Sequence, residues 1–115
     1  MNPELHAAYM EGIRLFNQGH YWHAHEQWER CWLQSEGLDA AFYKAIIQAA
    51  AALVKWQRGH VVGLARNWAK SCARLDMLPP IYRGLDLARM RMQITRIAAG
   101  QADSPPQLVV WVPPS

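Results

Sequence analysis

The sequence predicts an all-α protein, an irregular five-helix bundle with a buried central third helix and an extended C-terminal tail. Apolar residues recur at helical spacing in five segments of the chain. Short loops that contain glycine or proline separate these segments. No segment before the tail is predicted to be a strand. The predicted helices cover residues 3–18, 20–34, 39–58, 60–76 and 85–99.

The first two helices have clear ends. Pro3 suits the first turn of the first helix, and Gly19 after it is typical of a left-handed C-terminal cap. The second helix places Ala24, His25 and Trp28 on one apolar side. A loop over residues 35–37 is predicted to follow it, with Gly37 as a stop signal.

The third helix is predicted to begin at Asp39, a residue type that caps helix N-termini. Residues 45–54 are apolar on nearly all sides of this helix. That pattern indicates a central helix buried between others.

The fourth helix carries an apolar stripe and, on its other side, a basic row formed by Arg66, Lys70 and Arg74. Prolines keep residues 78–84 from being helical, so this segment is predicted to be a rigid linker. Asp86 lies in the first turn of the fifth helix, where a negative charge suits the helix dipole.

Residues 1–100 are predicted to form the bundle domain, and residues 101–115 an extended, proline-rich tail. The tail contains an apolar run over residues 108–112 that would promote aggregation if it were free. We therefore expect the tail to pack on the bundle or on a partner chain.

Composition narrows the classes of function. The chain has 115 residues, of which 51% are hydrophobic and 18% charged, which excludes a disordered protein. Its net charge of +3 is weaker than a nucleic-acid binder needs, so nucleic acid is not the expected partner. The uncharged apolar run over residues 45–54 is shorter than a membrane span, and no membrane association is expected. The N-terminus resembles no signal peptide, so we expect a cytoplasmic protein.

The sequence His25-Glu26-Gln27-Trp28-Glu29 reads H-E-x-x-E. His25 and Glu29 are four residues apart and can point to one side of a helix, where they could bind a divalent metal such as zinc. Glu26 would then act as the base for a bound water, by analogy with the H-E-x-x-H motif. A catalytic zinc also needs a third protein ligand, and the third and fourth helices offer none in their interiors.

A structural role for the same residues is the alternative that we favour. Glu29 could orient the His25 imidazole, and Gln48 on the third helix could complete a buried polar network. This network predicts that the imidazole and the acids of the second helix turn inward.

Residues 16–32 resemble the pattern F-N-x-G-x-[YF]-[FYW]-E-A-H-E-x-[LW]-E-x-x-W of the family called domain of unknown function 309, with His23 at a position where that family usually has Glu. Residues 44–52 resemble its buried I-Q-x-A-A helix, and residues 59–63 its G-N-x-x-G turn. The resemblance extends over about residues 5–97 and implies a small all-α bundle without implying an activity. The motif falls on Asn17, Tyr21, His25, Glu26, Glu29, Trp32 and Gln48.

These observations favour a non-enzymatic helical module that binds a protein partner or forms a homo-oligomer through a buried His/Glu/Trp patch, without a cofactor. A metal-dependent hydrolase that uses the H-E-x-x-E helix is the first alternative. RNA binding through the basic row of the fourth helix is the weaker one.

Overall fold

The computed structural model describes residues 2–111. The helices are α1 (Pro3–Asn17), α2 (Tyr21–Trp32), α3 (Gly37–Gln57), α4 (Val61–Leu75) and α5 (Leu87–Ala98). A two-stranded antiparallel hairpin, β1 (Ile81–Tyr82) and β2 (Leu85–Asp86), lies between α4 and α5. The prediction of an all-α bundle of five helices is confirmed, and the hairpin is an addition to it.

Local sequence explains where α1 and α3 end. The Asn2 side chain accepts a hydrogen bond from the Glu4 amide (2.8 Å) at the start of α1. Gly19 and Gly59, with φ of 81° and 72°, follow α1 and α3 in the left-handed conformation that glycine adopts without strain. The sequence-based bounds of both helix ends are therefore correct to within one residue.

Helix α3 is the centre of the core, as its uninterrupted apolar sequence predicts. It packs against α2 on one side and against α4 on the other. Small residues allow the close approach to α4, where the buried Ser71 hydroxyl donates to the carbonyl of Ala45 (2.7 Å). By length and hydropathy alone α3 could also cross a membrane, but 61% of that apolar stretch is buried inside the fold.

The predicted start of the third helix is wrong. Helix α3 begins at Gly37, and Asp39 lies inside its first turn. The Asp39 carboxylate instead accepts hydrogen bonds from the Tyr82 hydroxyl (2.6 Å) and from the Arg83 guanidinium (2.9 Å). A partner 44 residues along the chain has drawn the carboxylate away from the helix end.

The prediction that residues 78–84 are not helical is confirmed, but part of this segment is strand rather than linker. The end of this segment is β1 and the turn of the hairpin, with Arg83 and Gly84 both at positive φ (49° and 75°). This pair of angles is typical of the tight turns that join twisted strands. Arg83 is held in this unusual conformation because Tyr9 donates to its carbonyl (3.1 Å) and Asp39 binds its side chain.

The tail lacks helix over residues 101–111, and residues 112–115 of the predicted tail lie outside the described part of the chain. Leu108 is buried against the helices. The amide of Asp86 donates to the carbonyl of Val109 (3.0 Å), and Val110 forms a bridge with Leu85. The tail thus pairs with the hairpin through an isolated bridge, beside the two-stranded sheet.

The Asp39–Arg83 contact predicts a pH dependence of stability. The hydrogen bonds from Arg83 and then Tyr82 lower the pKa of Asp39 below its ordinary value. A carboxyl whose pKa is lower in the folded state stabilises the protein above its unfolded pKa of about 4 and loses that contribution as the pH falls further. Because the side chain is 38% exposed, we expect Asp39→Asn to lower the free energy of unfolding at pH 7 by about 1 kcal/mol at most.

Chemical denaturation of both proteins between pH 7 and pH 2 measures this effect. The difference between wild type and Asp39→Asn should shrink below pH 4. A difference that stayed constant over this range would show that the charge of Asp39 makes no contribution.

Candidate functional site: a groove along helix α3

Helix α3 leaves one stripe of its surface partly open. Residues Lys44, Gln48, Ala51 and Lys55 are half-buried, whereas their neighbours on the sides that face α2 and α4 are buried. Their spacing of four, three and four residues places them on one line along the helix. This line is the floor of a groove about 16 Å long, at 1.5 Å of rise per residue.

Helix α2 forms one wall of the groove through a stripe at the same spacing, which consists of Trp22, His25, Glu29 and Trp32. Trp22 is 56% exposed and stacks on the His25 imidazole, with 4.9 Å between the ring centres and 10° between the planes. At the other end, the Lys44 ammonium lies over the Trp32 ring, 4.3 Å from its centre.

Helix α4 forms the second wall through Gly63, which lies against Lys55, and Asn67, which lines the cavity. The spacing of Lys70 and Arg74 places them on the same flank of α4. Gly63 allows close approach to the floor, since a Cβ there would lie 2.9 Å from Lys55 Cδ. A cavity of about 290 Å³ lies at the C-terminal end of α3, between the two walls. It is lined by Trp22, Ala51, Val54, Lys55, Arg58 and Asn67. We call the whole feature the α3 groove.

Two polar atoms beside the α3 groove are buried without a partner. Within residues 2–111, neither Nδ1 of His25 nor Oε1 of Gln48 makes a hydrogen bond. Most buried polar atoms in proteins are paired, because an unpaired one costs about 1–3 kcal/mol. The predicted network of His25, Glu29 and Gln48 therefore does not close in this structure.

The acids of α2 also differ from the prediction. The Glu26 and Glu29 side chains are 55% and 48% exposed, so the patch is buried only in its aromatic and histidine members. Helix α2 uses Ala24, Trp28 and Cys31 to face the core, which moves the two carboxylates to the edge and the outside of the helix.

The geometry separates the residues of the proposed metal site. His25 Nε2 and Glu29 Oε1 are 3.8 Å apart, but Glu26 lies on another side of α2 and pairs with Nδ1 of His23 (3.1 Å). Over the described residues 2–111, no group of three or more His, Cys, Asp and Glu side chains is arranged to hold a metal ion. Among these described residues, His25 and Glu29 thus lack the third protein ligand that catalytic zinc uses.

His25, Glu29 and Trp32 share one side of α2, and Gln48 lies on the half-buried stripe of α3 that forms the groove floor. Asn17 has a different position, where it binds the tail: its side chain donates to the carbonyl of Leu108 (3.0 Å) and accepts from the Leu108 amide (2.6 Å). Tyr21 is fully buried beside Phe16, with 5.0 Å between the ring centres.

The hydroxyl of Tyr21 is buried without a hydrogen-bond partner among residues 2–111. Burial raises the pKa of Tyr21 to about 12, so the group stays neutral at physiological pH. We expect Tyr21→Phe to leave the free energy of unfolding unchanged or to raise it by about 1 kcal/mol. The equally buried Tyr9 is the matched control, because its hydroxyl donates to Arg83.

Tyr9→Phe should lower the free energy of unfolding by about 1 kcal/mol. Urea denaturation of both variants measures the two effects. If Tyr21→Phe destabilised the protein as much as Tyr9→Phe, the Tyr21 hydroxyl would have a partner in solution.

The predicted site residues do not include Trp22, Lys55, Arg58 and Asn67, which line the cavity. A signal for the floor of the groove was present, since Lys44, Gln48 and Lys55 interrupt an otherwise apolar helix at intervals of four and seven residues. Such intervals return to the same side of a helix and indicate one polar stripe on a buried element.

Comparison with known proteins supports the resemblance seen in the motif. No curated protein matches the chain. A family model matches residues 9–67, which include both α2 and α3 and all seven residues on which the motif falls. The chain therefore belongs to the family described as domain of unknown function DUF309.

Proposed function

We propose that this protein is a non-enzymatic binding module and that the α3 groove is its binding site. The observation that carries the proposal is a pair of buried atoms that lack a hydrogen-bond partner among residues 2–111, His25 Nδ1 and Gln48 Oε1, beside an open groove. A residue selected for stability alone would be apolar at such a position, because an apolar group of the same shape avoids the cost of desolvation.

The surroundings of these atoms are suited to a ligand. The exposed Trp22 ring supplies a flat apolar surface, and Lys55, Arg58 and Asn67 supply polar groups around a cavity of about 290 Å³. Pockets that bind small molecules or short segments combine an apolar surface with a few polar groups in this way. The donor set around His25 and Glu29 favours binding over metal-assisted hydrolysis, since a third ligand is lacking in the described residues.

A fragment screen observed by NMR tests the proposal, because the indole N–H signals of the tryptophans report on separate parts of the fold. We expect fragments that bind to shift the signals of Trp22 and Trp32, in the groove, and to leave the buried Trp28 and Trp68 unchanged. Fragments that bound elsewhere on the protein would contradict the proposal.

Gln48→Leu separates binding from stability. We expect this variant to raise the free energy of unfolding, since it removes the unpaired amide oxygen, and to weaken fragment binding in the groove. The control is Gln57→Leu, because the Gln57 amide lies on the outer side of α3 and donates to the carbonyl of Gly19 (2.9 Å). That variant should lower stability and leave fragment binding unchanged.

A further inference from the structure

Positive charge is concentrated in α3 and α4. Residues 40–75 contain six of the chain's 12 Lys and Arg residues and none of its nine Asp and Glu residues. The rest of the chain therefore has a net charge of −3, although the whole protein has only +3. The small net charge of the whole protein is thus the sum of a basic region and an acidic remainder. The distribution of charge, rather than its total, determines where a protein attracts an anion.

Most of these cations border the α3 groove. Lys44 and Lys55 lie on its floor, and Arg58 lines the cavity at one end. Lys70 and Arg74 follow Asn67 at intervals of three and seven residues, which places them on the same flank of α4. Within residues 2–111, none of these five side chains forms an ion pair. Their charge is available to an anionic ligand rather than being neutralised by the fold.

Aromatic rings stand at both ends of the same groove. Trp22 is exposed over more than half of its surface, and its ring stacks nearly parallel to the His25 imidazole. Trp32 lies at the other end, under the Lys44 ammonium. A line of cations with exposed aromatic rings is the arrangement by which proteins bind single strands, since the cations attract phosphates and the rings stack on bases.

We infer that the α3 groove binds single-stranded nucleic acid, with a base stacked on Trp22 and phosphates bound by Lys55 and Arg58. This inference rests on the proposed function, because it names the ligand of the same groove. Lys70 and Arg74 continue the phosphate path along α4, so the strand follows the length of α3. The groove, at about 16 Å, accommodates a short run of nucleotides, near the lower end of known site sizes.

Glu29 is the acid of α2 that borders the groove, and its side chain is 48% exposed. A carboxylate here repels a phosphate, so Glu29→Gln should tighten binding of the strand by a factor of about two or more. If Glu29 instead served a metal-dependent activity on the strand, its removal would not improve binding.

Fluorescence anisotropy with a labelled single-stranded RNA of about 12 nucleotides tests the inference. The double variant Lys55→Gln/Arg58→Gln should weaken binding about tenfold and reduce the slope of log affinity against log salt by about 0.7 for each lost phosphate contact. Trp22→Ala should weaken binding at least about fivefold and leave that slope unchanged. Separate effects on affinity and on slope distinguish stacking from charge.

Arg96→Gln is the control variant, since Arg96 is an exposed cation of α5, away from the groove. It should bind the RNA as the wild type does. Thermal melting of each variant verifies that it is folded. RNA binding that was absent, or that changed equally in Arg96→Gln and in the groove variants, would overturn the inference.

Two further probes test the class of ligand. A poly-glutamate peptide that bound as tightly as the RNA would overturn the inference, because it offers charge without bases. Adenosine monophosphate that bound as tightly as the strand would also overturn it, since a single nucleotide would then be sufficient. If the fragment screen still located binding in the α3 groove, the proposed function would stand while the nucleic-acid inference failed.

Discussion

Gly12→Ala is expected to lower the free energy of unfolding by about 2 kcal/mol. A Cβ atom on Gly12 would lie 2.1 Å from Nε1 of Trp28, a contact that no folded protein tolerates without movement. The Trp28 ring cannot easily move, because it is fully buried and donates a hydrogen bond to the carbonyl of Tyr9 (3.1 Å). Overpacking of this kind costs about 3 kcal/mol, and the higher helix propensity of alanine returns about 1 kcal/mol.

Gly63→Ala is the matched control, since both glycines lie within helices. Its Cβ would meet only the flexible Lys55 side chain, at 2.9 Å, and that chain can shift. We expect Gly63→Ala to be neutral or to stabilise the protein by up to about 1 kcal/mol. Urea denaturation of both variants measures the difference, and equal effects of the two substitutions would contradict the contact between α1 and the Trp28 ring.

Much of the fold could be predicted from the sequence, because the determinants of each helix are local. Apolar periodicity identifies the helical segments, and Gly19 and Gly59 mark the ends of two of them. The buried position of α3 follows from residues 45–54, which leave almost no polar side to face water.

The features that could not be predicted depend on partners distant in sequence. Asp39 is a residue type that favours the N-cap position, yet its carboxylate binds Arg83 and Tyr82, which are 44 and 43 residues further along the chain. Strands of two residues are too short to show alternation, and their turn contains Arg83 at positive φ, where sequence signals favour glycine or asparagine. Tertiary contacts, rather than local propensity, determine both features.

The candidate site could be predicted only in part, because it too depends on contacts between residues that are distant in sequence. The spacing of His25 and Glu29 correctly places both on one side of α2. Spacing alone does not determine whether that side of α2 is buried in the core or lies at its solvent-exposed edge. The orientation of α2 depends on how it packs on α3. The α3 groove also needs the relative positions of α2, α3 and α4, which no single helix contains.

Ala50→Leu is expected to lower the free energy of unfolding by about 3 kcal/mol, because α3 uses alanine where neighbouring helices come close. Ala50 is fully buried, with no exposed surface to receive three additional carbon atoms. A well-packed core must then adopt strained rotamers or move a helix, and such overpacking typically costs about 1–3 kcal/mol. The upper value is expected here because α3 is enclosed by both α2 and α4.

The adjacent Ala51 provides a control with the same change in side-chain volume. Ala51 is half-buried on the floor of the α3 groove, so a leucine there can extend into the groove and should change stability by less than about 1 kcal/mol. The same leucine occupies the cavity and should also weaken fragment binding beside Trp22. Urea denaturation compares the two variants. Because they differ only in which side of α3 carries the leucine, equal destabilisation by both would mean that the groove is closed in solution.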